Sequence, residues 1–271
     1  MSVSHYIAAA IQLCAGSDKV ENLAKVEALV EQAVRTGARL VVLPEVFLWR
    51  GPRGEEGSHA EPIPGPSTAR LAELARRHQL HLLAGSILEQ TNTDKVFNTS
   101  LLFDPRGELV GRYRKTHLFD IDLPGHVTIR ESDTRAAGSA AVTVATELGV
   151  IGMTICYDLR FPELYRRLTL DGAEIVAIPS AFTFPTGAAH WEILVRARAI
   201  ENQLYVIAPD QVGPSPSGHI DFGGSLIVDP WGKPLAHASD RETVIFAEID
   251  RDYQRKVRHD LPCLEHIRFA Q

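Results

Sequence analysis

The chain has 271 residues, of which 45% are hydrophobic and 23% charged, with a formal net charge of −6 and three cysteines. That length allows one large or two ordinary domains, and the globular composition excludes a disordered chain. The acidic balance and the lack of any long Lys/Arg cluster argue against nucleic acid and anionic membranes as partners, and no apolar run approaches the ~18 residues of a membrane span.

The N-terminal stretch lacks a positive n-region and reads as a strand over 6–13 rather than a signal peptide. Asp18 then caps a helix running to about Thr36, with Val20, Leu23, Val26, Leu29, Val30 and Val34 on one face and Gly37 as the stop. A short apolar strand covers 40–43. Ser67 is placed as the cap of a second helix, with Leu71, Leu74 and Ala75 at helical spacing through His78. Strands are expected at 80–87, 98–103 and 109–113, with a D-P-R-G-E turn at 104–108. Further strands fall near 141–145 and 150–155, followed by a helix at 161–170 and a strand at 174–178. A long helix from about Ala188 to Asn202 precedes a strand at 204–208. The last third turns to hairpins at 223–235 and a final strand at 243–249. Local βα alternation with added hairpins indicates an α/β or α+β sandwich whose sheets are covered by helices. With no linker, composition shift or internal repeat, residues 1–271 read as one domain.

Cys14, Cys156 and Cys263 lie far apart with no C-x-x-C, so neither a disulfide framework nor a zinc ribbon is implied, and a reducing cytoplasm is the expected compartment. Cys156 stands where an apolar strand meets a helix start. Unpaired N–H groups and the positive end of a helix dipole would favour a thiolate there. The alternative is a small buried hydrophobe. A Cys nucleophile needs a base and an oxyanion stabiliser. Glu45 ends the strand L-V-V-L-P-E, where burial would tune a carboxylate toward general-base use, or where a salt bridge would hold it. Lys115 follows the strand at 109–113, and reads either as a cation for that site or as a solvated basic edge. The papain-like and caspase-like cysteine signatures, the serine elbow, the P-loop, H-E-x-x-H and G-x-G-x-x-G are all absent. His117, Asp120 and Asp122 lack further ligands at metal spacing. His190 and Trp191 read as packing and capping residues.

L-P-E at 43–45, R-K-T-H-L-F-D at 114–120 and C-Y-D-L-R-F-P-E at 156–163 together resemble the carbon–nitrogen hydrolases of the nitrilase superfamily, whose Glu–Lys–Cys triad occurs in this order. The likeness extends to A-H-W-E-I-L-V-R-A-R-A-I-E-N at 189–202 and V-D-P-W-G at 228–232. It implies a four-layer αββα sandwich and an amidase mechanism without metal or organic cofactor. In that mechanism Cys156 attacks an amide carbonyl and forms a thioester, with Glu45 as the base. Lys115 and the backbone N–H of Tyr157 hold the oxyanion, and Glu131 resembles the family's supporting second glutamate. H-L-F-D-I-D-L-P-G, R-E-S and P-S-A-F look like the ω-amidase and deaminated-glutathione-amidase subgroup. The implied substrate is then a small carboxylate-bearing 2-oxo acid amide, hydrolysed to a carboxylate and ammonia. R-F-P-E-L, R-A-R-A-I-E and V-D-P-W-G lean toward the deaminated-glutathione side. For the substrate carboxylate, Arg160 is the candidate cation, unless it pairs with Asp158 or Glu163, and Thr183 is a candidate hydroxyl donor. The resemblance also implies a homodimer or higher homo-oligomer, with the tail at 251–271 packing across the contact. Two departures bear on the pocket: Gly223-Gly224-Ser225 replaces a Gly-His-Ser, and G-P-S-P-S-G at 213–218 replaces a loop that is often charged. Other branches (nitrilase, N-carbamoyl amino acid amidohydrolase) would use the same triad, and a non-catalytic binding protein could keep the fold.

Overall fold

The computed structural model describes residues 3–125 and 127–269. In chain order the strands are β1 (His5–Gln12), β2 (Ala38–Val42), β3 (His81–Leu83), β4 (Ile87–Glu89), β5 (Val96–Phe103), β6 (Leu109–Arg114), β7 (Asp120–Leu123), β8 (Val127–Arg130) and β9 (Arg135–Ala136). They continue as β10 (Val142–Thr146), β11 (Gly149–Met153), β12 (Ile175–Ala177), β13 (Tyr205–Ala208), β14 (Val212–Pro214), β15 (Ile220–Phe222), β16 (Leu226–Val228), β17 (Pro234–His237) and β18 (Thr243–Asp250). The α-helices are α1 (Lys19–Arg35), α2 (Glu56–His59), α3 (Pro66–His78), α4 (Pro162–Leu170), α5 (Phe184–Asn202) and α6 (Arg251–Asp260).

Two sheets form the centre. One runs β18-β1-β2-β3-β5-β4, with β6 and β9 also on β5, and the other runs β10-β11-β12-β13-β16-β17. In each, the parallel pairs (β1–β2–β3 and β11–β12–β13) are the βα units read from the sequence. Alternation along the strands sorts side chains into layers. Ala8, Ala10, Leu40 and Val42 face the core between the sheets, while Ala9, Ile11, Val41 and Leu43 face α1 and α3. Leu168 of α4 and Trp191, Val195 and Ala199 of α5 cover the second sheet. The result is a four-layer αββα sandwich.

Local corrections have local causes. Asp18 caps α1 as expected, accepting from Val20 N and Glu21 N. Val20 is 71% exposed, however, and Asn22 takes the inward place because its amide donates to the Gly16 and Leu48 carbonyls. Ser67 is not the cap of α3, which starts at Pro66. The hydroxyl of Thr68 accepts from Gly65 N, and Ser67 instead donates to Glu61. The expected strand over 80–87 breaks into β3 and β4 at Gly85, whose φ is +29°. A Cβ there would lie 1.9 Å from the Pro44 carbonyl oxygen, so glycine is what lets these two chain segments touch. Helix α5 begins at Phe184, four residues before the expected Ala188, with Pro185 in its first turn.

Candidate active site

Three chain ends converge from the two sheets. Glu45 lies past the end of β2, its N–H donating to Ser180 O at 3.3 Å. Lys115 is the first residue after β6, held by Lys115 N to Asn98 O at 2.8 Å and Gly138 N to Lys115 O at 2.8 Å. Cys156 follows β11 and donates its N–H to Pro179 O at 2.9 Å. Its φ is +49°, a left-handed conformation that costs a non-glycine residue ~1–2 kcal/mol. The expected α-helix start at Cys156 is not what forms there. A 3₁₀ turn spans Cys156–Arg160, and α4 begins only at Pro162.

Asp158, fully buried, fixes that turn. Its carboxylate accepts from Ile155 N at 2.8 Å and Tyr113 OH at 2.7 Å, and from His117 N at 3.1 Å, with the His117 ring Nδ1 at 2.7 Å. One carboxylate therefore ties the Cys156 turn to the Lys115 segment across the sheet interface. The sequence reading treated Asp158 only as a partner for Arg160. Its position three residues after Ile155 was the available signal, because an Asp so placed can accept the Ile155 N–H.

Lys115 is 2% exposed, and its Nζ donates to Glu45 Oε1 at 2.9 Å and to Glu131 Oε2 at 2.9 Å. Glu131, expected as the supporting carboxylate, is 2% exposed and also accepts from Phe119 N at 2.6 Å and from Arg135. Arg135 in turn donates to Glu56 at 2.6 Å and 3.1 Å. Asn98 Nδ2 donates to Glu45 Oε1 at 2.8 Å. The roles of Asn98, Glu56 and Arg135 were not seen in the sequence, since each depends on a pairing between distant segments.

Burial by itself would strip the charge from Lys115, but the Glu131 and Glu45 carboxylates overcome it and hold the ammonium far above its ordinary value. Burial likewise favours neutral Glu131, yet Lys115 and Arg135 outweigh it and keep the carboxylate ionised well below the usual range. Cys156 moves the other way from the sequence expectation. Burial and the Glu45 charge push its thiol well above the ordinary value, while Lys115 and a bond from the Ala181 backbone only partly oppose them. The resting group is a neutral thiol beside a carboxylate.

Glu45, Lys115, Glu131 and Cys156 all line one cavity of about 50 Å³, together with Arg53 and His219. Arg160 is not on its wall. The Arg160 guanidinium lies 5.8 Å from the Tyr157 ring centre and 5.6 Å from that of Phe182, with His190 Nδ1 at 3.4 Å, and it pairs with neither Asp158 nor Glu163. Thr183 is also off the wall, 1% exposed, its hydroxyl 2.9 Å from that of Thr186 at the start of α5. The Tyr157 N–H is taken by no acceptor outside its own turn among the described residues. Trp191 is a packing residue whose indole donates to Gly224 O at 2.8 Å, whereas His190 is exposed on α5. Gly223, Gly224 and Ser225 do not line the cavity. Ser225 is bonded to Gln12 and Asp210, so that departure alters the scaffold rather than the wall. The 213–218 loop does reach the wall, through Ser217. His117 serves Asp158, Asp120 binds Ser132 and Asp122 binds Thr128, so these three do not converge on a metal position.

Residues 7–259 match the model of the carbon–nitrogen hydrolase family. The chain is 39% identical to mouse omega-amidase NIT2 over 98% of its own length and 96% of the relative's. It is 41% identical to a deaminated glutathione amidase of Synechocystis, over 98% and 99%. The crystal structure of Saccharomyces cerevisiae Nit3, described as a member of branch 10 of the nitrilase superfamily, superposes with a TM-score of 0.87 at 34% identity, covering 96% of each chain.

Proposed function

This chain belongs to the carbon–nitrogen hydrolase family and is a hydrolase of carbon–nitrogen bonds, and from that premise we propose that it is an amidase for small 2-oxo acid amides that uses Cys156, Glu45 and Lys115. The single observation that carries the site assignment is the meeting of the buried Cys156, Glu45 and Lys115 side chains on the wall of one cavity. A thiol held neutral is activated by general base rather than by prior ionisation. Glu45 takes the Sγ proton as sulfur bonds to the amide carbon. The oxyanion forms facing the Lys115 ammonium and the unengaged Tyr157 N–H, donors of a kind worth ~3–4 kcal/mol each to a transition state. Glu45 passes the proton to the departing nitrogen, the C–N bond breaks and a thioester remains. Glu45 then deprotonates the water that attacks the thioester, and the carboxylate product leaves with the thiol restored. Glu131 keeps Lys115 charged and in place throughout, and Arg135, by bonding Glu131, fixes that carboxylate; both are positioning residues.

The similarity to proteins named omega-amidase and deaminated glutathione amidase supports a 2-oxo acid amide as substrate. A primary amide yields ammonia. The γ-amide of a glutathione-like acid is a peptide-type amide, and the same steps would release an amine. We place the enzyme in the cytoplasm as a homodimer formed on the outer face of α5. The dimer is supported by exposed Ile193 and Ile200 on α5, and the compartment by Cys14, Cys156 and Cys263 all being free thiols.

The test is product release from α-ketoglutaramate, deaminated glutathione, a nitrile and an N-carbamoyl amino acid, by wild type and Cys156→Ala. Hydrolysis of the 2-oxo acid amides by wild type, reduced at least roughly 10³-fold in Cys156→Ala, is expected. Full activity in Cys156→Ala overturns the nucleophile, and faster turnover of the nitrile or carbamoyl compound overturns the amidase reading.

A further inference from the structure

The inner cavity of about 50 Å³ adjoins a second, wider chamber of about 380 Å³. Four residues line both: Arg53, Ile129, Ser217 and His219. These residues stand where the two spaces meet, so Arg53 borders both the cavity that holds Cys156 and the wider chamber beside it.

The cations of the inner wall are otherwise committed. Lys115 is bonded to Glu45 and Glu131, Arg135 to Glu131 and Glu56, and Arg50 to Asp221. Arg53 differs. Its Nη1 is buried and hydrogen-bonded to nothing among the described residues, and its nearest carboxylate oxygen, Glu56 Oε1, is 3.8 Å away. A buried N–H of a charged group left without an acceptor is costly, and an arriving carboxylate would satisfy it. Burial and the neighbouring Arg135 charge disfavour the guanidinium's charge and outweigh the opposing Glu131, Glu56 and Glu45 carboxylates, so an anion bonded directly to Nη1 would support that charge further.

We infer that Arg53, where the two chambers meet, is the specificity-determining residue that receives the substrate's carboxylate. This rests on the amidase reading above and assigns to Arg53 the role that the sequence offered to Arg160. Arg53 lies at the start of a short 3₁₀ turn, Arg53–Glu55, and its side chain is 30% exposed, so replacing it leaves the packed layers intact.

The experiment uses the full chain with two readouts. The first is calorimetric binding of 2-oxoglutarate, a product-like dianion, to Cys156→Ala carrying in addition Arg53→Met, Arg53→Lys or Arg160→Met. The second is steady-state hydrolysis of α-ketoglutaramate and of uncharged butyramide by the corresponding single variants. Arg53→Met is expected to weaken 2-oxoglutarate binding and raise the α-ketoglutaramate KM, each roughly 10- to 100-fold. Its kcat should stay within about threefold and the butyramide KM should not move. Arg53→Lys, which keeps the charge, should recover most of the loss. Equal KM shifts for charged and neutral amides, or an acid-specific loss in Arg160→Met with none in Arg53→Met, overturn the assignment. If wild type hydrolyses neither 2-oxo acid amide, the amidase reading fails, and the binding series still decides the role of Arg53.

Discussion

Cys156 illustrates how a residue's surroundings reverse a prediction made from its place in the chain. A strand–helix junction favours a thiolate, but the turn that forms is 3₁₀, and burial with the Glu45 charge raises the thiol. The sign follows directly: a raised value keeps the neutral thiol to higher pH, so the thiolate fraction at pH 7 falls below that of a free cysteine. Iodoacetamide alkylation of Cys156, followed by peptide mass spectrometry, should therefore keep accelerating above the ordinary thiol value of ~8.5. Glu45→Gln removes the charge that helps raise the thiol, so its alkylation curve should move to lower pH. Its kcat should nevertheless fall by roughly 10²- to 10⁴-fold, because the base is gone. An alkylation rate already at its plateau below pH 8 in wild type would mean a resting thiolate and would defeat the base role. Glu45 and Cys156 were legible because each closes an apolar run, whereas Lys115 follows the mixed strand L-V-G-R-Y-R and was singled out by the family resemblance. Asn98 and Arg135 were not, since their partners Glu45 and Glu56 lie 53 and 79 residues away, and Asp158 offered only its local bond from Ile155 N, its Tyr113 partner being 45 residues away.

Elements were legible where one periodicity dominates and not where tertiary contacts decide. The alternation of β1 and β2 sorts correctly into two cores. The break at Gly85 and the start of α3 depend on close approaches to Pro44 and Glu61 that no local pattern encodes. Helix α5 shows a further limit. Trp191, Val195 and Ala199 bury one side, yet Ile193 and Ile200 are 70% and 49% exposed on the other. An amphipathic surface helix should be polar there. The proposed homodimer contact on this face would account for the pattern. No described residue of the tail at 251–271 is tied to that face by a bond the structure shows. Residues 270–271 lie outside the described residues, and α6 packs on its own chain, with Gln254 Nε2 donating to Glu174 O at 2.7 Å and Gln203 O at 3.0 Å. Sedimentation equilibrium should give a dimer for wild type and a monomer for Ile193→Glu with an unchanged circular dichroism spectrum. A monomeric wild type, or a variant that stays dimeric, removes α5 from the contact.

The site straddles the two sheets, with Glu45 and Lys115 carried on one and Cys156 on the other. Sheet spacing therefore sets the distance between base and nucleophile. Gly111 of β6 is a point of close approach between the sheets: a Cβ there would lie 2.7 Å from Val144 Cγ2 of β10 and 3.0 Å from Met153 Sδ of β11. β6 leads into Lys115 and β11 into Cys156, so a larger residue at 111 pushes apart the two strands that feed the site. Gly111→Val should cost ~1–3 kcal/mol through overpacking. Leu29→Ala, in the layer between α1 and the outer face of the first sheet, should cost ~2–5 kcal/mol through a cavity. Stability alone would make Leu29→Ala the more harmful change. Displacing reacting groups by about 1 Å can lower rates ~10²-fold, so Gly111→Val should lose more than tenfold in kcat at a temperature where both variants are folded, while Leu29→Ala stays within about twofold of wild type. Thermal unfolding and kcat measured on the same samples make the comparison. If loss of activity simply follows loss of stability, the sheet interface does not position the chemistry, and the convergence of the three strand ends is a matter of packing alone.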